Sequence, residues 1–248
     1  MPHDGRRLPE VQARPQNHLL WAAPGTGKTF LVQELARSLP SVRYLELNLA
    51  GTEEEDFRRA VAGLETVEQP VLVLVDEADA RPEAAWPYEL LLPYLDRALE
   101  RNQACVFVFA GSSGSSLEEM GERIATRPKG SDLISRVPVE NRHVVPKLGA
   151  GDRFLVSAVQ LRRAAKEAGQ EVSEIEKFAL YYISLSERLD NARQLREFAV
   201  RALHRAEGDG RIKFDHLFDA GDPANKNFWA EHRGVSENLS QHYVLIEE

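Results

Sequence analysis

The stretch Ala22-Ala23-Pro24-Gly25-Thr26-Gly27-Lys28-Thr29-Phe30 follows directly on the apolar run His18-Leu19-Leu20-Trp21. The apolar run reads as a strand and Lys28 to Ser38 as a helix, so the glycines sit in the turn between the two. Gly25 and Gly27 let the backbone turn sharply and bring N–H groups close to an anion. The N-terminus of the following helix adds partial positive charge. Lys28 is placed to reach the β- and γ-phosphates of a nucleotide, and the Thr29 hydroxyl to ligate magnesium. Pro24, Gly25, Thr26, Gly27, Lys28, Thr29 and Phe30 are therefore the candidate nucleotide-binding residues. The usual pattern, G-x-x-x-x-G-K-[ST], starts with glycine where this chain has Ala22. Alanine costs little there if φ is negative and strains the loop if φ is positive.

Downstream, strand-like and helix-like segments alternate. Residues 18–22, 42–49, 70–79, 104–111 and 139–146 read as strands. Residues 53–65, 83–102 and 116–125 read as helices, the second kinked or split by its two prolines and the third capped by Ser116 with Glu119 three residues on. This alternation predicts an α/β fold: a three-layer domain with a central parallel five-stranded sheet. After Gly149 the strand signals stop. Residues 152–169, 173–189 and 191–208 read as three amphipathic helices, with Gly169 and Gly208 at the expected C-caps. The expected organisation is an α/β domain over 1–148, a small all-helical lid domain over 149–208 and a tail over 209–248. The tail either packs on the core or binds a partner. Residues 1–16 are polar and proline-broken, as in a leader or linker.

The run Val71-Leu72-Val73-Leu74-Val75-Asp76-Glu77 supplies the second chemical element. A carboxylate at the end of a buried strand can hold the hydration shell of magnesium, which assigns Asp76. Glu77 beside it can orient and polarise an attacking water as a general base. The remaining titratable groups point to no further chemistry. Seven histidines show no metal-ligand spacing, so no zinc site is predicted. The single cysteine, Cys105, lies in an apolar strand and excludes an intrachain disulfide. Glu53-Glu54-Glu55-Asp56 read as the solvated, dipole-favoured start of a helix. A formal net charge of −8 argues against a generally phosphate-coating surface. No apolar run reaches the roughly 18–20 residues of a membrane helix. The N-terminus lacks the apolar core of a signal peptide. These features predict a soluble, cytoplasmic protein that meets no membrane.

The segments "APGTGKT", "VLVLVDEAD", "FAGSSG", "DLISR" and "NARQLREFAVRA", in that order over about residues 11–207, resemble the AAA+ ATPases. The order of the later segments separates this family from other phosphate-loop classes. The resemblance implies ATP hydrolysis with magnesium at the interfaces of a homo-oligomeric ring or open spiral. In "FAGSSG" it implies that Ser113, or its neighbour Ser112, contacts the γ-phosphate and the attacking water. In "SDLISRVP" it implies that Arg136 acts as an arginine finger on a neighbouring subunit, with Arg142 a rival. In "NARQL" it implies that Arg193, or failing that Arg196, touches the phosphates of its own subunit. The first expectation for the function is remodelling of a protein partner. The region around residues 53–56, where the family bears pore loops, shows no aromatic-hydrophobic-glycine pore motif, which leaves open a nucleotide-gated switch that recruits an effector in signalling or antiviral defence. A DNA-associated loader or initiator is the third, less favoured, expectation.

Overall fold

The apolar run after Pro70 forms β3 (Val71–Asp76), which is buried at all six positions, as expected of a β-branched strand covered on both faces. The computed structural model describes residues 17–97, 105–219 and 221–246. Around β3 stand β1 (His18–Trp21), β2 (Arg43–Asn48), β4 (Cys105–Gly111) and β5 (Arg142–Val144). They form a sheet in the order β2-β3-β4-β1-β5, and every pairing is parallel. The register sets β1 beside β4 from His18↔Val108 to Trp21↔Gly111.

Parallel strands need crossovers, and helices supply them. In chain order these are α1 (Lys28–Arg37), α2 (Glu54–Ala62), α3 (Trp86–Arg97), α4 (Leu117–Ala125) and α5 (Gly130–Ser135). Alternate residues of β3 feed two apolar layers. Val71, Val73 and Val75 pack with Phe57, Leu91, Phe107 and Phe109. Leu72 and Leu74 pack with Val32 and Ala36 of α1 and with Leu20, Val108 and Ala110. Of the two prolines expected to bend the third helix, Pro87 falls in its first turn and Pro93 lies inside it. The reading of this helix beyond Arg97, and of residues 1–16 as a leader or linker, falls outside the described residues. Ser116 caps α4 by accepting from the Glu119 N–H.

The fifth strand is shorter than expected. Asn141 is buried and its amide donates to the Asn17 carbonyl at 3.2 Å, so residues 139–141 coil into a 3₁₀ turn and pairing starts at Arg142. Gly130 opens α5 because nothing larger fits: a Cβ there would stand 1.7 Å from the Ile124 carbonyl oxygen.

The chain divides into two units, one running through Pro24 and from Lys28 to Val145, the other comprising Gly25–Gly27 and Pro146 onward. The second unit contains α6 (Ala150–Ala168), β6 (Glu174–Glu176), α7 (Lys177–Leu185), α8 (Ala192–Ala206), β7 (Arg211–Ile212), α9 (Phe214–Leu217), α10 (Pro223–Glu231), α11 (Arg233–Leu239) and β8 (Tyr243–Leu245). Gly169 ends α6 in the left-handed conformation, with φ 65°. Asn191 caps α8 by accepting from the Gln194 N–H. The expectation of an all-helical lid is corrected here. β6, β7 and β8 form a three-stranded sheet in the order β7-β6-β8. The segment 173–189, expected as one helix, begins as β6, because Ile175 is buried between partners supplied from far along the chain. Residues 209–246 contribute to this unit's core: Phe214 packs on Phe178 at 4.6 Å and Phe228 on Tyr182 at 4.9 Å between ring centres. Among the described residues, no helix is long and apolar enough to cross a membrane.

One packing detail carries a pH dependence. His18 of β1 and His143 of β5 stack, with Nδ1 of the first 3.0 Å from Nε2 of the second. Burial, and then the neighbouring imidazole, hold His18 below its ordinary pKa of 6.5. As pH falls, the unfolded chain takes up a proton at this residue before the fold does, so folding loses stability below the ordinary value and not above it. We expect the melting temperature to fall as pH drops below about 6.5, and His18→Gln to flatten that fall. An unchanged profile in the variant would assign the acid sensitivity elsewhere.

Candidate functional site

The loop after β1 takes the conformation its glycines allow. Gly25 and Gly27 both lie in the left-handed region, with φ 81° and 96°. Ala22 is not among the described residues with positive φ, and it is buried. The missing first glycine therefore brings no backbone strain, and a methyl group occupies its place in the core. The Ala22 N–H donates to the Gly111 carbonyl at 3.3 Å, which ties the start of the loop to the end of β4.

Lys28 and Thr29 open α1, immediately after the loop. Lys28 is only 7% exposed. Its ammonium donates to the Ala22 carbonyl at 3.4 Å and meets no carboxylate within ion-pair distance among the described residues. A buried cation without a counter-ion is costly unless an anion arrives, so this position fits a polyanionic ligand. The Thr29 hydroxyl donates to Asp76 Oδ2 at 2.7 Å. These two oxygens meet although β1, which leads into the loop before Thr29, and β3, which ends at Asp76, are separated by β4. Hard oxygen ligands of this type suit magnesium. Thr26 is buried, Pro24 is exposed and Phe30 is 58% exposed on α1.

Glu77 follows Asp76 with φ 51°, a left-handed conformation that a non-glycine residue adopts at a cost. Its N–H donates to Asp76 Oδ1 at 2.9 Å. Asp76 thus spends one oxygen on Thr29 and the other on the peptide that carries Glu77.

The turn after β4 is held by a residue that motif reading passed over. Asp79 Oδ2 accepts from the N–H of Ser112 at 2.9 Å and from the N–H of Ser113. Gly111 allows this approach, since a Cβ there would lie 2.8 Å from the Asp79 carboxyl carbon. Trp21 Nε1 donates to the Ser113 carbonyl at 3.2 Å. On the far side, Glu119 accepts from the N–H and the hydroxyl of Ser115 at 2.7 and 2.8 Å, bonds that hold its carboxyl down to about 2. Ser113 is therefore fixed by its backbone, while its hydroxyl is buried with no hydrogen-bond partner among the described residues. The last acid of "DEAD" was the available signal for Asp79.

The arginines divide by their surroundings. Arg136 caps the C-terminus of α5 and donates to the Asp132 carbonyl at 2.8 Å, and its own carbonyl accepts from Asn17 at 3.1 Å. Arg142 spends its donors on local carbonyls, Val137 at 3.1 and 3.3 Å and Ile134 at 3.3 Å. That is a brace for the end of α5. In the second unit, Arg193 lies in the first turn of α8 and is exposed, whereas Arg196 pairs with Glu167 at 2.9 Å.

Residues 18–127 match the model of the ATPase family associated with various cellular activities, AAA. No curated protein matches the chain in sequence. Among solved structures, a proline-to-glycine variant of Thermotoga maritima RuvB superposes with a TM-score of 0.56 at 19% identity, covering 81% of this chain and 60% of that one. The T. maritima RuvB Holliday junction branch migration motor superposes with a TM-score of 0.54 at 18% identity, covering 81% and 59%. This chain thus spans about 60% of the length of the structures it resembles. The phosphate-loop sequence and the acidic end of β3 both lie within residues 18–127, the part of the chain that matches the AAA family model.

Proposed function

We propose that this chain binds ATP with magnesium, hydrolyses it at sites shared between copies of itself, and uses the cycle to remodel a protein partner. The observation that carries the reading is the buried Lys28 ammonium, which meets no carboxylate within ion-pair distance among the described residues, beside the Thr29–Asp76 pair. The loop N–H groups and Lys28 bind the phosphates. Thr29 and Asp76 would hold magnesium, which when bound neutralises charge on the phosphate oxygens. Glu77 takes the proton of the attacking water at its carboxylate, and Ser113 orients that water. Arg136 of one copy supplies fixed, planar donors to the phosphates of the next, and Arg193 does so within its own copy.

A DNA-associated role is a second reading. The likeness to RuvB, described as a Holliday junction branch migration motor, favours it. The formal net charge of −8 counts against it. Failure to bind duplex DNA at low salt, where electrostatic attraction is strongest, would remove it.

The deciding measurement is magnesium-dependent ATP turnover per subunit as a function of protein concentration. We expect turnover to rise with concentration. Glu77→Gln should lower kcat by about 10²–10⁴-fold while nucleotide still binds. Arg136→Ala should lower it by about 10³-fold or more. Absence of turnover in an assembled sample would defeat the reading. Ser113→Ala separates catalysis from folding. Removing a buried, unpartnered hydroxyl should leave the melting temperature unchanged or raise it, so a fall in kcat at unchanged stability would mark the hydroxyl as acting on the reaction. Unchanged kcat would release Ser113 from that role.

A further inference from the structure

Two non-glycine residues four positions apart hold left-handed backbone: Glu77 at φ 51° and Arg81 at φ 52°. Such conformations persist only where the surroundings over-determine them. Toward β4 and the helices, the turn between them is pinned many times over. The Ala78 N–H donates to Ala110 O and the Ala80 N–H to Glu77 O, both at 2.8 Å. The Tyr88 hydroxyl donates to the Ala78 carbonyl at 2.8 Å, and Arg127 to the Ala80 carbonyl at 3.2 Å. Asp79 holds the Ser112 and Ser113 N–H groups.

Toward β2, one side chain makes the attachment. Arg81 Nε donates to the Leu49 carbonyl at 2.8 Å, and its Nη2 to the Thr52 carbonyl and to Glu53 Oε1, both at 3.1 Å. Its guanidinium lies 5.7 Å from the centre of the Trp86 ring. Leu49 is fully buried, and its own N–H donates to the Asp76 carbonyl at 3.0 Å. Leu49 therefore grips the turn on both sides of Glu77. Its N–H holds the carbonyl immediately before that residue, and its carbonyl is held by the side chain four positions after it.

We propose that Arg81 is a positioning residue for Glu77: by closing the turn against Leu49 it fixes the backbone from which the Glu77 carboxylate is presented to the attacking water. The inference rests on the ATPase reading above. It also explains why arginine stands here. Three acceptors in a row, two carbonyls and a carboxylate, match a planar fork of N–H donors and cannot all be reached by the single ammonium of lysine. Through the same contacts the start of α2 is mechanically joined to Glu77.

A positioning role and a merely structural one differ in kinetics. Arg81→Ala should lower kcat by about 10–100-fold, the cost of a small misplacement of a reacting group, while the Kd for magnesium-ATP stays within about twofold of wild type. Low-millimolar guanidinium chloride should restore part of the activity of Arg81→Ala and none of that of Glu77→Gln. Arg81→Lys keeps the charge and most of the volume, and serves where the alanine variant does not fold. It should show the same loss of kcat at unchanged Kd. Wild-type kcat in Arg81→Lys, or a loss of nucleotide affinity as large as the loss of kcat, would overturn the proposal and leave the ATPase reading intact. Absence of magnesium-dependent turnover in the wild-type protein would overturn both.

Discussion

The hydrogen bond from Thr29 to Asp76 joins the loop after β1 to the acidic end of β3, the two segments on which the proposed chemistry depends. It cannot form by strand pairing, because β4 lies between β1 and β3. It requires parallel strands in register, so that the loop leaving β1 and the acid ending β3 emerge at the same edge of the sheet. The sheet meets that requirement through its apolar layers. Leu72 and Leu74 face the layer that contains Val32 and Ala36, and this seats α1, whose first turn carries Lys28 and Thr29. Burial of the strands, the position of the helix and the meeting of the two oxygens are thus one chain of consequences.

Much of this was legible from the residues because each feature is local. A phosphate loop is a run of consecutive residues, and a strand buried on both faces is a continuous run of valine and leucine. The Ser116 cap and the Gly169 C-cap each follow from spacing within one turn of helix. What stayed hidden depends on partners distant in sequence. The strands of the second unit are two or three residues long, too short to show alternation. Asp79 and Arg81 act mainly on backbone groups, an N–H pair in one case and carbonyls in the other, and backbone groups leave no mark in a sequence. The exchange of the first loop glycine for Ala22 could be judged only once the sign of its φ was known.

Strain is concentrated where the chemistry is proposed. In the first unit the left-handed non-glycine residues are Glu77, Arg81 and Lys129 among the described residues. Two of them bracket the turn after β3, and the third precedes Gly130, where α5 begins. The turn between the first two is held by hydrogen bonds from several sides. The turn that carries Glu77 is thus prearranged by its framework.

The small sheet of the second unit bears on how the protein is made. Its central strand, β6, pairs in parallel with β7 and antiparallel with β8, and the buried Glu176 carboxylate accepts from the Phe214 N–H at 2.6 Å. During synthesis β6 leaves the ribosome long before β8 exists. Until then its edge groups must be satisfied by water, and the aromatic cluster around Phe178 lacks Phe214 and Phe228. Closure of this unit is therefore a late, long-range event of the kind that folds slowly. Through that interval the newly made chain carries an open strand edge.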